Sequence, residues 1–249
     1  LDVWFDSGAM PFAQDHFPFD HAPGKSLLYP ADYIAEAIDQ TRGWFYTLLA
    51  VGVILARGAA YKNVICLGHV LDRAGKKMSK SLGNVVDPWI MIDRYGADAL
   101  RFFMYSVNAP GDSKNFDETA VNEVVKKVIN PLANVISFYE LYGVKSSDAD
   151  DLPESSHLLD QWLLMSLADL TSQVTADFEH YRFTEAARAL RDFITDLSQW
   201  YVRRSRERFR RRDPETSAGA TATLRFALRQ SAKLIAPLMP FLAEQIYQK

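Results

Sequence analysis

A single cysteine, Cys66, occurs in the 249 residues. That excludes an internal disulfide framework and any metal site built from several thiolates within this span. Long apolar runs are missing as well. The longest, Leu48 to Ala56, falls far short of the ~20 residues that cross a bilayer. Asp2 and Asp6 stand where a secretory leader carries basic residues. Neither sign of charge dominates, since 28 Lys and Arg oppose 31 Asp and Glu for a net charge of -3. No internal repeat is visible. The 48% hydrophobic and 24% charged content is that of a globular chain, long enough for one large or two modest domains with their own cores. A cytoplasmic protein with no membrane partner is expected. Leu1 is not an initiator Met, and Lys249 follows an apolar helical pattern of Phe241, Leu242 and Ile246. Both ends therefore read as cuts in a longer polypeptide, whose remainder would be this chain's partner.

The balanced total hides local imbalance. Residues 1–86 carry 8 acidic and 8 basic side chains, residues 87–125 carry 7 and 3, and residues 126–249 carry 16 and 17. Within the last segment Arg203, Arg204, Arg206, Arg208, Arg210, Arg211 and Arg212 crowd together, opposed locally only by Glu207. A solvated helix face is the ordinary reading of such a run. Like charges this dense repel unless an anion is near, which points to phosphate contact.

The first third reads as α/β. Tyr33-Ile34-Ala35 is a short strand, Arg42 to Arg57 a largely apolar helix, and Asn63 to Leu71 a run of the kind expected for a buried parallel strand. Strand, helix and strand in that order form the unit of a doubly wound sheet. Ligands in such sheets sit beyond the carboxyl ends of the strands, which directs attention to Glu36, Asp39, Gln40 and the loop after Leu71. From Pro88 the pattern turns helical. Ala97 to Tyr105 is one helix, and Thr119 to Tyr142 a longer one that Pro131 should kink or divide. Ser146 to Ser156 reads as a loop and His157 to His180 as a helix. Thr184 is a candidate N-cap for the next helix, with Leu190, Phe193, Ile194, Leu197 and Tyr201 on its apolar face. Asp213 to Ala220 reads as a loop before a helix over Thr221 to Ile235, and Pro237 and Pro240 lead into a last one. Trp162 and Met165 read as bundle core. The expected fold is α/β followed by all-α: the second half of a Rossmann-like doubly wound parallel sheet, then a helical bundle.

The densest chemistry lies in Gly75-Lys76-Lys77-Met78-Ser79-Lys80-Ser81-Leu82-Gly83-Asn84. Two lysines three apart, two serines and flanking glycines make a cationic, donor-rich loop, suited to charge building on a leaving pyrophosphate. A solvated basic turn is the competing reading. The string lacks the G-x-x-x-x-G-K-[ST] spacing of a P-loop.

Lys77-Met78-Ser79-Lys80-Ser81 resembles the KMSKS signature of class I aminoacyl-tRNA synthetases. Its setting matches too: Gly68-His69-Val70-Leu71-Asp72 precedes it, and Gly83-Asn84-Val85-Val86-Asp87-Pro88 and Tyr95-Gly96-Ala97-Asp98-Ala99-Leu100-Arg101 follow. Asp2-Val3-Trp4-Phe5-Asp6-Ser7-Gly8 and Asp39-Gln40-Thr41-Arg42-Gly43-Trp44-Phe45 are similar to the isoleucyl branch of that family. Trp200-Tyr201-Val202-Arg203-Arg204-Ser205-Arg206 resembles its anticodon-binding helices.

The resemblance implies three segments: residues 1–86 as the C-terminal half of the catalytic domain with the KMSKS loop, 87–125 as a connector like the family's stem-contacting region, and 126–249 as the helical anticodon-binding domain. It implies that Lys80, supported by Lys77, stabilises the adenylation transition state, with Met78, Ser79 and Ser81 in the same ATP-binding loop. Glu36, Asp39, Gln40 and His69 would hold the adenylate, and Trp4 and Trp44 would line the amino-acid pocket. Arg203, Arg204, Arg206, Arg208, Arg210 and Arg211 would meet tRNA. ATP with Mg2+, isoleucine and the isoleucine tRNA are the implied ligands, with no protein-bound metal and no zinc in this span. Trp4 and Trp44 could instead be core aromatics, His69 a satisfied core histidine, and Glu36 and Asp39 surface carboxylates. Ala37 stands where the family often has glycine. The family's other signature, His-x-Gly-His, does not occur in the sequence, so the chain alone is expected not to activate amino acids. A valyl or leucyl relative, or a tRNA-binding module with an idle sheet, are the alternatives.

Overall fold

The computed structural model describes residues 2–19, 28–143, 151–211 and 214–248. Residues 146–150 of the expected loop, together with Arg212 and Asp213, lie outside them. The chain divides into two compact units: Leu1–Lys77 with Pro110–Asn115, and Met78–Ala109 with Phe116–Lys249.

The first unit holds helices α1 (Val3–Gly8) and α2 (Met10–Ala13), strand β1 (Ala31–Ala37), a 3-10 turn (Ile38–Arg42), helix α3 (Trp44–Ile54) and strand β2 (Tyr61–Leu67). β1 and β2 pair in parallel, with Ile34 opposite Val64 and Ala37 opposite Leu67. α3 packs Phe45 and Leu48 against Ile34 and Ala60 to form a small core. The expected single strand over 63–71 is split. Gly68 and His69 break it, and β3 (Val70–Leu71) pairs in parallel with β4 (Lys114–Asn115) in a second sheet. Close approach explains the break. A Cβ at Gly68 would strike the Asp112 carbonyl, and the Gly68 N–H donates to Pro110 O at 2.8 Å. Nor is the strand buried: no residue of β2 is, and only Ile34 is in β1. Parallel strands are buried when helices cover both faces, and among the described residues of this unit the core forms between β1 and α3.

The second unit is helical: α4 (Pro88–Tyr95), α5 (Ala97–Ser106), α6 (Glu118–Val124), α7 (Asn130–Tyr142), α8 (Leu158–Glu179), α9 (Phe183–Asp196), α10 (Arg203–Arg211), α11 (Pro214–Ile235) and α12 (Pro240–Tyr247). One core runs through it, built from Val121, Val128, Leu132, Leu163, Leu167, Leu190, Ile194, Leu197, Leu224 and Leu238. The expected helix over 119–142 is divided at Pro131, which stands in the first turn of α7. A π-helical turn over Val125–Ile129 precedes it, and the wider i→i+5 pattern absorbs the bond that proline cannot make. Thr184 is not the cap. It lies inside α9, and its buried hydroxyl donates to Asn108 O at 2.8 Å. The expected loop at 213–220 gives way to α11, which starts at Pro214, a residue suited to the first helical position because it has no N–H to satisfy. Met165 is 69% exposed rather than core, while Trp162 is half-buried against the core.

The last helix is fixed from a distance. The buried Asp98 carboxylate accepts the N–H groups of Phe241 at 3.4 Å and Leu242 at 2.7 Å. Arg101 donates to Leu238 O at 3.1 Å and Pro237 O at 2.8 Å. Asp98 thus satisfies the free N–H groups of α12 in place of a local cap. Asp98→Ala is expected to destabilise the unit by about 1–3 kcal/mol, because it strands buried donors. Urea unfolding followed by circular dichroism measures this, and a loss near zero would contradict the capping role.

Candidate functional site

β1 and β2 end at the same edge, and the residues singled out in the first unit gather there. Glu36 lies opposite Cys66 one step before the end of β1, and Asp39 and Gln40 follow in the 3-10 turn. Glu36 and Asp39 are exposed; Gln40 is half-buried. Gln40 Oε1 accepts the Trp44 N–H at 3.0 Å, so it caps α3, whose N-terminal Gly43 has no side chain to do so. Its Nε2 reaches Asp39 Oδ2 at 3.5 Å. A Cβ at Gly43 would stand 2.7 Å from Gln40 Oε1 and 3.1 Å from the Trp4 ring. Glycine here lets the Trp4 indole lie directly on the backbone. Next to it, Trp44 Nε1 donates to Ser7 O at 3.1 Å. Trp4 is 44% exposed and Trp44 half-buried, so neither is a sealed core aromatic. Trp4, Gln40, Gly43 and Trp44 form one cluster.

His69 occupies the break after β2 and is exposed, which removes the core-histidine reading. Its carbonyl accepts the Lys114 N–H at 2.8 Å. The Lys114 side chain is buried, and burial lowers its pKa while the Asp112 carboxylate opposes that shift. Sequence reading missed Lys114, one charged residue after a turn with no periodic pattern to mark it.

The signature loop is built as two turns. Asp72 Oδ1 accepts from Ala74 N at 2.9 Å and Lys76 N at 2.8 Å. Gly75 supplies the left-handed residue at φ 76°, and Lys77 bridges back to Leu71. Lys77 closes the first unit and Met78 opens the second, where Met78 packs on the core. Ser79 then caps a short 3-10 turn (Lys80–Leu82), accepting from Leu82 N at 3.3 Å. The Ser79 N–H donates to Asn84 Oδ1 at 2.9 Å, and its hydroxyl meets that of Ser81 at 3.0 Å. The turn closes on left-handed Gly83, φ 64°. Ser79, Lys80 and Ser81 therefore share one braced turn with Lys80 and Ser81 exposed. Among the described residues no group of three or more His, Cys, Asp or Glu side chains could hold a metal ion, and no helix is long and apolar enough to cross a membrane.

The arginine stretch is not one uniform face. Arg203, Arg204, Arg206 and Arg210 are exposed. Arg204 lies over the Trp200 ring at 4.2 Å, and Arg210 meets Glu207 at 3.5 Å. The Arg211 side chain lies outside the described residues. Arg208 departs from the expected solvent-facing set. It turns inward onto fully buried Asp160, with contacts of 2.9 Å to Oδ1 and 2.6 Å to Oδ2, and also meets His157 Nδ1 at 3.0 Å. Arginine cannot accept, so Nδ1 is the acceptor here. Tyr201 Oη donates to Asp160 Oδ1 at 2.8 Å, and Ser155 Oγ to Oδ2 at 2.7 Å. Asp160, unremarked in the sequence, stands one turn before Leu163 on the core face of α8. An acid at that spacing, in a chain with an arginine run, is the signal that could have found it.

The family description for tRNA synthetases class I (I, L, M and V) matches residues 1–117, and that for the anticodon-binding domain of tRNA ligase matches residues 160–249. This chain belongs to the class I tRNA synthetases. It is similar along its whole length to isoleucine–tRNA ligases: 49% identical to that of Thermus thermophilus, and 46% to those of Clostridium novyi and Deinococcus radiodurans. It spans about a quarter of those curated relatives, 24% of each. Two solved synthetases share the fold. Mycobacterium tuberculosis methionyl-tRNA synthetase with methionyl-adenylate aligns at TM-score 0.79 and 24% identity, over 98% of this chain and 49% of that one. Agrobacterium radiobacter LeuRS, in a complex with tRNA and LeuAMS, aligns at 0.73 and 20%, over 99% and 30%. A class I synthetase fold thus underlies both the parallel strand edge and the arginine-bearing helices.

Proposed function

We propose that this chain supplies the signature-loop part of the catalytic site and the tRNA-binding helices of an isoleucine–tRNA ligase acting in the cytoplasm. The observation that carries this reading is whole-length similarity to isoleucine–tRNA ligases in a chain that gathers Trp4, Gln40 and Trp44 at one strand edge. In the reaction, the isoleucine carboxylate attacks the α-phosphorus of ATP, and the bond to pyrophosphate breaks. A terminal ribose hydroxyl of the tRNA then attacks the acyl carbon, and AMP leaves. Lys80, exposed on its braced turn, takes the charge that grows on the departing pyrophosphate, with Lys77 in support. Met78, Ser79 and Ser81 complete that ATP-binding loop, with Ser79 and Ser81 adding hydroxyl groups. Mg2+ bound with ATP would supply neutralisation of the phosphate charge, in keeping with an ion that keeps its waters and needs few protein ligands. Glu36, Asp39, Gln40 and His69 hold the adenylate, while Trp4 and Trp44 line the side-chain pocket. Arg203, Arg204, Arg206, Arg210 and Arg211 face the isoleucine tRNA; Arg208 holds their helix in place.

A thermal-shift titration with non-hydrolysable isoleucyl-, valyl- and leucyl-adenylate analogues tests the reading. A ligand that binds only the folded state raises stability by about 2.7 kcal/mol at a hundred times its Kd. The isoleucyl analogue is expected to raise the midpoint most. A larger rise with either of the others would reassign the amino acid, and a flat midpoint for all three would overturn the pocket.

A further inference from the structure

α5 ends at Ser106, and the carbonyls at the end of a helix have no partner within it. Here α9 takes three carbonyls in a row. Arg188 donates through Nε to Ser106 O at 3.2 Å and through Nη2 to Val107 O at 3.0 Å. The Thr184 hydroxyl donates to Asn108 O at 2.8 Å. Thr184 and Arg188 stand four residues apart, so they share one face of α9. Beside them Phe183 lies edge-on to Tyr105, with ring centres 5.9 Å apart. Thr184 is buried and Arg188 exposed. The three bonds span 76 to 82 residues of sequence, so local helix geometry does not supply them. A planar guanidinium on two successive carbonyls fixes their direction as well as their place.

The second unit gives way to the first after Ala109. Pro110 fixes its own φ and pushes Ala109 toward extended backbone, so little slack lies between Asn108 and Pro110. In the first unit Pro110–Asn115 is a strap behind the strand that leads into the signature loop. Pro110 O accepts the Gly68 N–H at 2.8 Å, and His69 O accepts the Lys114 N–H at 2.8 Å. Val70 pairs with Lys114 and Leu71 with Asn115, and Lys77 bridges back to Leu71. At Gly68 the strap and the strand meet backbone to backbone, since a Cβ there would strike the Asp112 carbonyl. Such a contact has no flexible side chain to absorb a displacement. A shift of Ser106–Asn108 is therefore passed along the strap to β3 and to the loop that starts from it.

We propose that Thr184 and Arg188 are positioning residues for the adenylation step. They clamp the carbonyls of Ser106, Val107 and Asn108, and the strap that continues from there sets Lys80, with Lys77, against the reacting phosphates. Neither side chain is assigned a contact with substrate. The proposal rests on the reading that Lys80 stabilises the departing pyrophosphate, and it adds what holds that lysine in place.

Pyrophosphate exchange in a polypeptide of the relatives' full length, carrying this chain, is the test. Thr184→Val and Arg188→Ala are each expected to lower kcat roughly tenfold, the effect of a catalytic group displaced by a fraction of an ångström. KM for isoleucine and the thermal midpoint should not change. Arg191→Ala, on the same helix, should keep kcat within about twofold of wild type. Adding Arg188→Ala to Lys80→Ala should cost less than about threefold further, because residues that act as a unit do not add. If both clamp variants keep kcat within about twofold, or if their losses add in full to that of Lys80→Ala, the clamp is overturned and Lys80 keeps its role. A fall in kcat matched by a lower midpoint in Arg188→Ala would mark a purely structural residue and overturn it as well. If Lys80→Ala itself leaves kcat unchanged, both readings fall.

Discussion

Asp160→Ala is expected to lower the unfolding free energy of the helical unit by about 3–5 kcal/mol, as removal of one partner from a buried ion pair does. Asp160 is fully buried, and its side chain accepts from Arg208, Ser155 and Tyr201. Without it the Arg208 guanidinium, 14% exposed, keeps its charge and loses its counter-ion. Replacing both partners with well-packed apolar residues of similar volume is expected to be milder than either single loss, since no stranded charge is left. Urea unfolding of the single and paired variants measures the difference; a single-variant loss below about 1 kcal/mol would contradict the network.

The same carboxylate gives a pH dependence. Burial pushes the Asp160 pKa up, but hydrogen bonds from Arg208, Ser155 and Tyr201 and the guanidinium charge outweigh that, leaving it below the ordinary value. The unfolded chain therefore binds this proton more readily than the folded one. Its contribution is fully present above the ordinary aspartate pKa of about 4, and is lost as pH falls below it. Asp160→Asn is expected to flatten that part of the stability–pH curve. Burial and then the neighbouring Asp160 carboxylate push the Tyr201 hydroxyl upward, so it remains a donor throughout.

Lys80→Ala, placed in a polypeptide of the relatives' full length, is expected to reduce kcat for isoleucine-dependent pyrophosphate exchange by about 10²–10³. That is the scale of removing one preorganised group from a site where charge develops. The side chain is exposed and its turn is held by Ser79, Asn84 and Gly83, so the substitution removes a charge without disturbing fold. KM for isoleucine should change little, because Lys80 is assigned to the phosphates and Trp4 and Trp44 to the amino acid. Binding of tRNA should be unchanged. A fall in kcat of less than tenfold would remove Lys80 from the transition state.

Much of this was legible in the residues because local pattern and tertiary environment agree. The apolar spacing of Leu190, Phe193, Ile194, Leu197 and Tyr201 marks the buried face of α9 and the turn beyond it, and all five are buried. The β1-α3-β2 order gives the parallel pair, and sets Glu36 in the last step of β1 and Asp39, Gln40 and His69 beyond the ends of the two strands. Errors arose where a side chain's partner lies far along the chain. Thr184 has the chemistry of a cap, yet its hydroxyl goes to Asn108, 76 residues away. Arg208 belongs by sequence to a cationic run, but its partner is Asp160, 48 residues earlier. The π-helical turn over Val125–Ile129, just before Pro131, was not legible either, because ordinary residues build it and none of them announces it.

Pyrophosphate exchange in a full-length polypeptide carrying this chain, run in parallel with isoleucine, valine and leucine, bears most directly on the proposed function. A site can reject a substrate one methylene smaller by only ~1–3 kcal/mol, and isoleucine against valine is the standard example. The expected result is the highest kcat/KM for isoleucine, with valine a measurable second, and loss of that preference in Trp4→Ala and Trp44→Ala. Valine or leucine as the best substrate, or a preference untouched by both tryptophan variants, would contradict it.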